Sequence, residues 1–304
     1  MELKLTILGC GSAVPSLLRA NSGQILQLGN TQILIDCGEG TQLQMLKFKL
    51  SAYKIDLIFI SHLHGDHYLG LPGLLNTLSL FGRTKPLHIF GPKGLKKMVM
   101  QNFKGAMRLP VYDLFITEIN TKSRKKIFEI NGLKVTAIAV SHRVPCYGYH
   151  FEHSAHYTKI DKAKCDKEGL GSEAMRQFGA GLDYSIGNQV FKHADFTTNV
   201  SKKMSYTYVT DSLFLPEIAP YFKNTNILYH ESTYLNNLLD KAIANYHSTA
   251  LQAAEMARIC NAKMLILGHY SSRYEHTDAL LSEAKSIFEN TELSFDGKVF
   301  EMKY

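Results

Sequence analysis

Short apolar runs that end at a polar, ligand-type side chain recur along the chain. The alternating run "MELKLTILGC" predicts a first strand, and "LIFIS" predicts a short buried strand that ends before His62. Four later apolar runs end in the same way, at His142, at Asp211, at His230 with Glu231, and at His269. One histidine after a strand is usually structural, but five such strands predict a sheet edge lined with metal ligands.

Helical patterns lie between these strands. Pro72 opens "PGLLNTLSLF", where a first-turn proline is tolerated. Thr249 and Gln252 form a predicted capping box, and the alanines that follow are spaced as one face of a helix packed in the core. Because strands and helices do not alternate strictly, the pattern favours an α/β sandwich over a doubly wound sheet. The glycine-rich "LGCGSAVPS" does not match the dinucleotide-binding or NTP-binding patterns.

The densest group of ligand-type side chains follows "LIFIS". His62 and His64 are two residues apart, so they point to the same side of an extended segment. Asp66 and His67 come after Gly65, where the chain can turn and direct a second pair elsewhere. Imidazole and carboxylate groups are zinc ligands, and a carboxylate can also take a proton from a bound water. The order H-x-H-x-D-H therefore predicts two adjacent metal ions rather than a histidine-rich surface loop.

The composition is that of a globular protein with a substantial core. Of the 304 residues, 45% are hydrophobic and 20% are charged. No apolar run approaches the ~18 residues of a membrane helix, and the N-terminal residues predict a strand rather than a signal peptide. The five cysteines are scattered and form no C-x-x-C pair, which argues against a disulfide framework or a cysteine zinc site. We expect a reducing, cytoplasmic location.

Positive charge is concentrated between Arg83 and Lys126. This segment holds eleven lysines and arginines against Asp113 and Glu118, whereas the net charge of the whole chain is +7. A segment of this kind favours a polyanionic partner such as nucleic acid, but a solvated basic face without a partner explains it equally well. Charge alone leaves both interpretations open.

Residues 151–192 differ from the rest of the chain. The stretch is polar, is punctuated by glycines and lacks the pattern of buried strands. It holds six basic and six acidic residues, so it is not strongly basic. We expect an inserted arm within a single domain that spans residues 1–304.

The motifs together resemble the metallo-β-lactamase superfamily and, within it, the ribonuclease Z family. H-x-H-x-D-H after a buried strand is typical of the superfamily. The closer resemblance covers nearly the whole chain and rests on "MELKLTILGCGSAVP", "DCGEGTQLQML", "SHLHGDHYLGLPGLL", "FGPKG", "GYHFE", "HEST", "YHSTALQAA" and "GHYSSRY". It implies an αββα four-layer sandwich and a homodimeric, zinc-dependent endoribonuclease. Such an enzyme removes the 3′ trailer from precursor tRNA and leaves a 3′-hydroxyl on the tRNA and a 5′-phosphate on the trailer.

The resemblance also implies the ligands of two Zn²⁺ ions per chain. One ion would be held by His62, His64 and His142, and the other by Asp66, His67 and His269. Asp211 would bridge the two. Two metal ions ~3.5–4 Å apart can stabilise both the attacking and the leaving oxygen of a phosphodiester. Asp36 is expected to fix the tautomer of a ligand imidazole.

Further roles combine the resemblance with charge. Asp66 would be both a ligand and the proton acceptor from the attacking water. His247, just before the capped helix, would give a proton to the leaving 3′ oxygen. Glu231 would either orient His247 or only cap its own loop. Phosphate contacts are expected from two arginines and from four lysines of the arm: Arg19, Arg273, Lys159, Lys162, Lys164 and Lys167.

Two segments depart from the family's pattern. The first loop reads "PSLLRAN", without the asparagine that directly follows the arginine in the family, and the arm segment "SEAMRQFGAGL" lacks the family's signature. The altered arm favours an alternative, a phosphodiesterase of the same fold that acts on small or non-tRNA substrates. A non-catalytic RNA-binding relative is a third interpretation, against which the complete set of seven ligands argues.

Overall fold

Two seven-stranded sheets form the framework of the protein, which we describe from a computed structural model for residues 2–105 and 109–303. The first sheet contains, in spatial order, β16 (Val299–Lys303), β1 (Glu2–Gly9), β2 (Gly23–Leu28), β3 (Thr31–Cys37), β4 (Ile55–Phe59), β5 (Leu87–Pro92) and β6 (Leu114–Ile119). The second contains β15 (Thr291–Leu293), β14 (Met264–Gly268), β13 (Ile227–Glu231), β12 (Thr197–Val209), β9 (Cys146–Ile160), β8 (Leu133–Val140) and β7 (Arg124–Ile130). A separate hairpin joins β10 (Tyr184–Ile186) to β11 (Gln189–Phe191).

Helices follow many of the strands. The α-helices in the described ranges are α1 (Thr41–Lys47), α2 (Gly65–Tyr68), α3 (Leu71–Leu80), α4 (Leu95–Gly105), α5 (Lys162–Lys167), α6 (Ser172–Gly179), α7 (Leu239–Ala244), α8 (Ala250–Ile259) and α9 (Asp278–Lys285). Short 3₁₀ helices span Ala52–Lys54, His193–Asp195, Pro216–Phe222 and Asn236–Leu238. The predicted helix at Pro72 is α3, and the predicted capping box of α8 is present. Within the described ranges, no helix is long and apolar enough to cross a membrane.

The core lies in layers, as the αββα prediction requires. Between the sheets, Leu3, Leu5 and Ile7 of β1 are fully buried because alternate side chains of a strand point to one face. Phe59 of the first sheet packs edge-on against Phe151 of the second, with ring centroids 5.2 Å apart. On the outer face of the first sheet, the leucines of α3 join a second core cluster, while the alanines of α8 are buried against β13 and β14. The predicted four-layer sandwich is confirmed.

The chain divides into two compact units. One comprises the residues up to His153 and from Met204 onward, and the other comprises Ser154–Lys203. The second unit has its own small core, in which the rings of Phe178 and Phe196 stack 4.9 Å apart. Its bounds lie later in the chain than those of the predicted arm, 151–192, because the outer ends of β9 and β12 belong to it.

Arg83 is not part of a basic surface, although the sequence included it in the basic segment between Arg83 and Lys126. Its side chain is fully buried, and its guanidinium donates hydrogen bonds to four carbonyl oxygens, those of Tyr53, Ile55, Lys85 and Pro86. A buried cation needs such partners, so this arginine stabilises a turn. Arg108, another residue of that segment, lies outside the described residues. All five cysteines are free and buried.

Candidate metal centre

The predicted ligands lie at the carboxyl ends of strands from both sheets. His62 and His64 follow β4, and α2 carries Asp66 and His67. His142, Asp211 and His269 follow β8, β12 and β14 in the second sheet. Asp211 and His269 both adopt left-handed backbone conformations, with φ of 47° and 57°. Such conformations are strained for residues other than glycine, and they turn both side chains sharply at the ends of their strands.

Two groups of ligand atoms converge at this edge. In the first, His62 Nε2 lies 3.0 Å from His64 Nδ1, which lies 3.2 Å from His142 Nε2. In the second, His67 Nε2 lies 3.3 Å from His269 Nε2, and Asp66 Oδ2 lies 3.3 Å from His67 Nε2. Ligand atoms each 2.0–2.1 Å from a tetrahedral zinc ion would lie about 3.3 Å apart. Both groups therefore have the donors and the spacing that a zinc ion needs.

Asp211 lies between the two groups. Its Oδ1 is 3.9 Å from His62 Nε2, and its Oδ2 is 3.1 Å from His67 Nε2 and 3.2 Å from His269 Nε2. One carboxylate oxygen thus faces each group. Burial would raise the pKa of Asp211, but the surrounding histidines hold it well below its usual range, so the carboxylate is ionised.

Four ligand imidazoles donate their other nitrogen to a fixed acceptor. His67 Nδ1 donates to Asp36 Oδ2 at 2.7 Å, and Asp36 is itself held by Ser61 and by the hydroxyl of Tyr208. The remaining acceptors are Ser61 Oγ for His62, Thr233 Oγ1 for His269 and the Tyr246 carbonyl for His142. Such partners fix the ring tautomer and leave the opposite nitrogen free to bind a metal. The structure places Asp36 where the sequence analysis expected it.

His247 and Glu231 stand beside the ligands. Both carboxylate oxygens of Glu231 lie 3.1 Å from His247 Nδ1. Burial would lower the pKa of His247, but the Glu231 carboxylate raises it, to about 9. Glu231 also accepts hydrogen bonds from the Ser212 amide and the Thr233 hydroxyl. Glu231 therefore contacts His247 and also holds the segments of Ser212 and Thr233, so its position is compatible with both of the roles that the sequence left open.

The comparisons with known proteins agree with this geometry. A family model described as "Anti-Pycsar protein Apyc1" matches residues 3–178, so the chain belongs to the group of proteins that this model describes. Ribonuclease Z of Cytophaga hutchinsonii is 39% identical over 302 residues, which are 99% of this chain and 96% of that protein. Ribonuclease Z of Bacteroides fragilis is 35% identical over 294 residues, covering 96% and 97% of the two chains. The chain belongs to the ribonuclease Z family.

Solved structures agree with this assignment. The short form of human tRNase Z superimposes with a TM-score of 0.72 at 26% identity, covering 98% of each chain. The metallo-β-lactamase fold protein YhfI from Bacillus subtilis, 19% identical, has a TM-score of 0.70 over 99% of each chain and supports the fold. As a member of the ribonuclease Z family, the protein is a hydrolytic, metal-dependent endoribonuclease of the metallo-β-lactamase superfamily.

Five of the seven predicted ligands border a cavity of about 260 Å³, whose lining does not include His62 and His67. Of the two arginines predicted to contact phosphate, neither lines it. Arg19 uses both terminal nitrogens to donate to the carbonyl oxygens of Tyr274 and Glu275, and Arg273 Nε donates to Ser271 Oγ at 3.0 Å. The cavity is bordered instead by Arg143, which sequence reasoning missed. Its position directly after the ligand His142 was the available signal.

Other predicted residues lie apart from the ligands. His230 precedes Glu231 in β13, and its buried Nδ1 donates to the carbonyl oxygen of Glu231. The arm lysines Lys159, Lys162, Lys164 and Lys167 are exposed. Lys164 donates to the Asp195 carbonyl oxygen at 2.7 Å, and Asp161 caps α5. The predicted contacts of these lysines with RNA stay predictions.

Proposed function

We propose that this member of the ribonuclease Z family removes the 3′ trailer from precursor tRNA, using two zinc ions per chain. The observation that carries the proposal is Asp211, whose two carboxylate oxygens face two separate groups of ligand atoms beside His247. Two metal ions at these groups would polarise the phosphodiester and lower the pKa of a water molecule. The relatives named ribonuclease Z and the human tRNase Z support tRNA as the substrate.

The side chains of this protein supply the proton transfers. Asp66 Oδ2 accepts a hydrogen bond from the Ala13 amide at 2.8 Å, which orients the carboxylate. Asp66 would be a ligand and would also accept the proton from the attacking water. His247 is held at Nδ1 by Glu231, so Nε2 is the nitrogen that donates a proton to the leaving 3′ oxygen. The adjacent Glu231 carboxylate favours the protonated form of His247. The products would be a tRNA 3′-hydroxyl and a 5′-phosphate on the trailer.

We also propose that the protein is a cytoplasmic homodimer in which the arm of 151–192 contacts the tRNA. Free, buried cysteines fit a reducing compartment. For the dimer, α1 exposes Leu43 and Leu46, and Leu69 and Phe81 are exposed on either side of α3. Burial of these four apolar side chains against a second copy would stabilise a dimer. Light scattering of the intact protein and of Leu46→Glu tests this, since a dimer would be weakened by the new charge.

The deciding experiment is cleavage of a precursor tRNA with a 3′ trailer. Active protein should contain close to two zinc ions, lose activity in a chelator and recover it with zinc, and leave the end groups stated above. Asp211→Ala serves as the inactive control. Hydrolysis of small phosphodiesters without any cleavage of precursor tRNA would support the alternative phosphodiesterase and overturn the proposed function.

A further inference from the structure

Arg143 presents unused hydrogen-bond donors at the cavity. Its Nη2 donates to the Ala244 carbonyl oxygen and to Asn245 Oδ1, both at 3.1 Å, so the guanidinium is held against the segment that precedes His247. A guanidinium has five N–H donors. Within the described part of the chain, Nε and Nη1 of Arg143 make no hydrogen bond. They are therefore available to an anion that enters the cavity.

Tyr246 stands next to Arg143 in a conformation that its own side chain disfavours. The residue follows the end of α7 with a φ of 60°, at the position where helices prefer glycine. The residue is 37% exposed, so packing in the core does not explain the aromatic side chain. Arg143 Cζ lies 5.9 Å from the ring centroid, and the ring of His142 stands perpendicular to it at 6.4 Å.

Arg273 and Tyr234 form another arginine–tyrosine pair, of which Tyr234 lines the cavity. Arg273 Cζ lies 5.0 Å from the Tyr234 ring, but Tyr234 is only 7% exposed and Arg273 Nε is already bonded to Ser271. The Tyr234 ring is therefore covered. Of these two pairs, Arg143 and Tyr246 combine an accessible aromatic ring with free donors.

We propose that Arg143 and Tyr246 form a subsite for one nucleotide of single-stranded RNA next to the scissile phosphodiester. Tyr246 would stack on the base, and Arg143 would contact the adjacent phosphate. Proteins bind unpaired nucleotides through this combination, because a base in a duplex has both faces covered. The proposal rests on the proposed function, since it assumes an RNA strand in the cavity.

The test compares an intact precursor tRNA with RNAs that carry an abasic nucleotide at one position on either side of the cleavage site. For the parent protein, kcat/KM should be about tenfold lower on one of the abasic RNAs than on the intact RNA. This is the size expected for the loss of one stacked base. Tyr246→Gly should lose a similar factor on the intact RNA and nothing further on that abasic RNA. Tyr246→Phe should behave like the parent. The Tm of Tyr246→Gly should not fall, because glycine tolerates this φ.

Arg143 is tested with a methylphosphonate in place of the neighbouring phosphate. The parent protein should have a lower kcat/KM on the neutral linkage than on the natural phosphate. Arg143→Ala should have the same kcat/KM on both. Arg258→Ala and Tyr53→Leu, which change an exposed arginine and an exposed tyrosine outside the cavity, are the matched controls. Equal abasic penalties in the parent and in Tyr246→Gly would overturn the proposal.

Failure of the proposed function gives a different result. If the parent cleaves no precursor tRNA, binding of a fluorescent single-stranded oligoribonucleotide decides on the subsite. Weaker binding by Tyr246→Gly and Arg143→Ala would support it, and unchanged affinity would overturn it.

Discussion

Thr233 connects the ligand His269 to Glu231. The Thr233 hydroxyl accepts from His269 Nδ1 at 3.1 Å and donates to Glu231 Oε2 at 2.6 Å. Glu231 in turn holds His247, so one buried carboxylate links the metal centre to the proposed proton donor. A chain of this kind orients both imidazoles at once.

Replacing His247 by alanine should slow cleavage and leave the metal content unchanged. General acid catalysis contributes ~10²–10⁴ in rate, and His247 belongs to neither predicted ligand set. Single-turnover cleavage with enzyme in excess measures the loss, and His276→Ala, an exposed histidine, is the control. Loss of zinc from His247→Ala would mean that His247 acts as a ligand, since its Nδ1 lies 3.9 Å from Asp211 Oδ1.

Asp211→Ala and His142→Ala should differ in metal content. The two oxygens of Asp211 face both ligand groups, whereas His142 belongs to the first group alone. We expect Asp211→Ala to weaken both zinc ions and His142→Ala to lose chiefly one. Plasma mass spectrometry of the dialysed proteins gives the ratio of zinc to protein. Equal losses in the two variants would contradict the bridging position of Asp211.

Asp36→Asn should weaken metal binding without removing a ligand. Asp36 is fully buried and accepts a hydrogen bond from His67 Nδ1. The uncharged side-chain amide of asparagine is a weaker acceptor than the carboxylate. Loss of such a partner typically lowers metal affinity by ~10–100-fold. Competition with a chelator measures the affinity. Asp56→Asn, which changes a carboxylate that accepts from the Gln32 amide, should leave it unchanged.

His150 should make the fold sensitive to mild acid. Burial lowers its pKa to about 4, from about 6.5 in an unfolded chain. The unfolded state therefore takes up a proton first as the pH falls below 6.5, and stability is lost down to about pH 4. His150→Gln should reduce the loss between pH 7 and 4.5 by roughly 2 kcal/mol. Urea unfolding at both pH values gives the free energy of unfolding of the parent and of His150→Gln. Both proteins have the same metal ligands, so the effect of titrating those ligands cancels when the two are compared.

Shortening the arm should separate substrate capture from chemistry. The Asp161 amide donates to the Phe196 carbonyl oxygen at 2.8 Å, so a short Gly-Ser turn can replace residues 162–195. This removes Lys162, Lys164 and Lys167 but none of the seven ligands. We expect a higher KM for precursor tRNA and a flatter salt dependence of binding, because fewer phosphates are neutralised. Unchanged tRNA cleavage would show that the arm does not contact RNA. As a control, the shortened protein should still hydrolyse a small activated phosphodiester, because its metal centre is intact.

Much of the metal centre could be predicted from local sequence. The spacing of His62, His64, Asp66 and His67 after a buried strand determines which side chains reach one strand end. The apolar runs before His142, Asp211 and His269 identify the other strands that reach it. The capping box of α8 and the proline of α3 are likewise set by nearest neighbours along the chain. These features depend on a period of two or of 3.6 residues, which a sequence displays directly.

Only the tertiary structure decided how the charged side chains are used. Arg19 and Arg83 donate hydrogen bonds to backbone carbonyl oxygens of other loops, while Arg143 reaches the cavity. His230 and Glu231 are adjacent in β13, so they point to opposite faces, and strand pairing determines which one meets His247. The order of strands brings Asp211 between ligands that lie far apart along the chain. A hydrogen-bond partner far along the chain leaves no mark on local hydrophobic periodicity, so these roles required the folded structure.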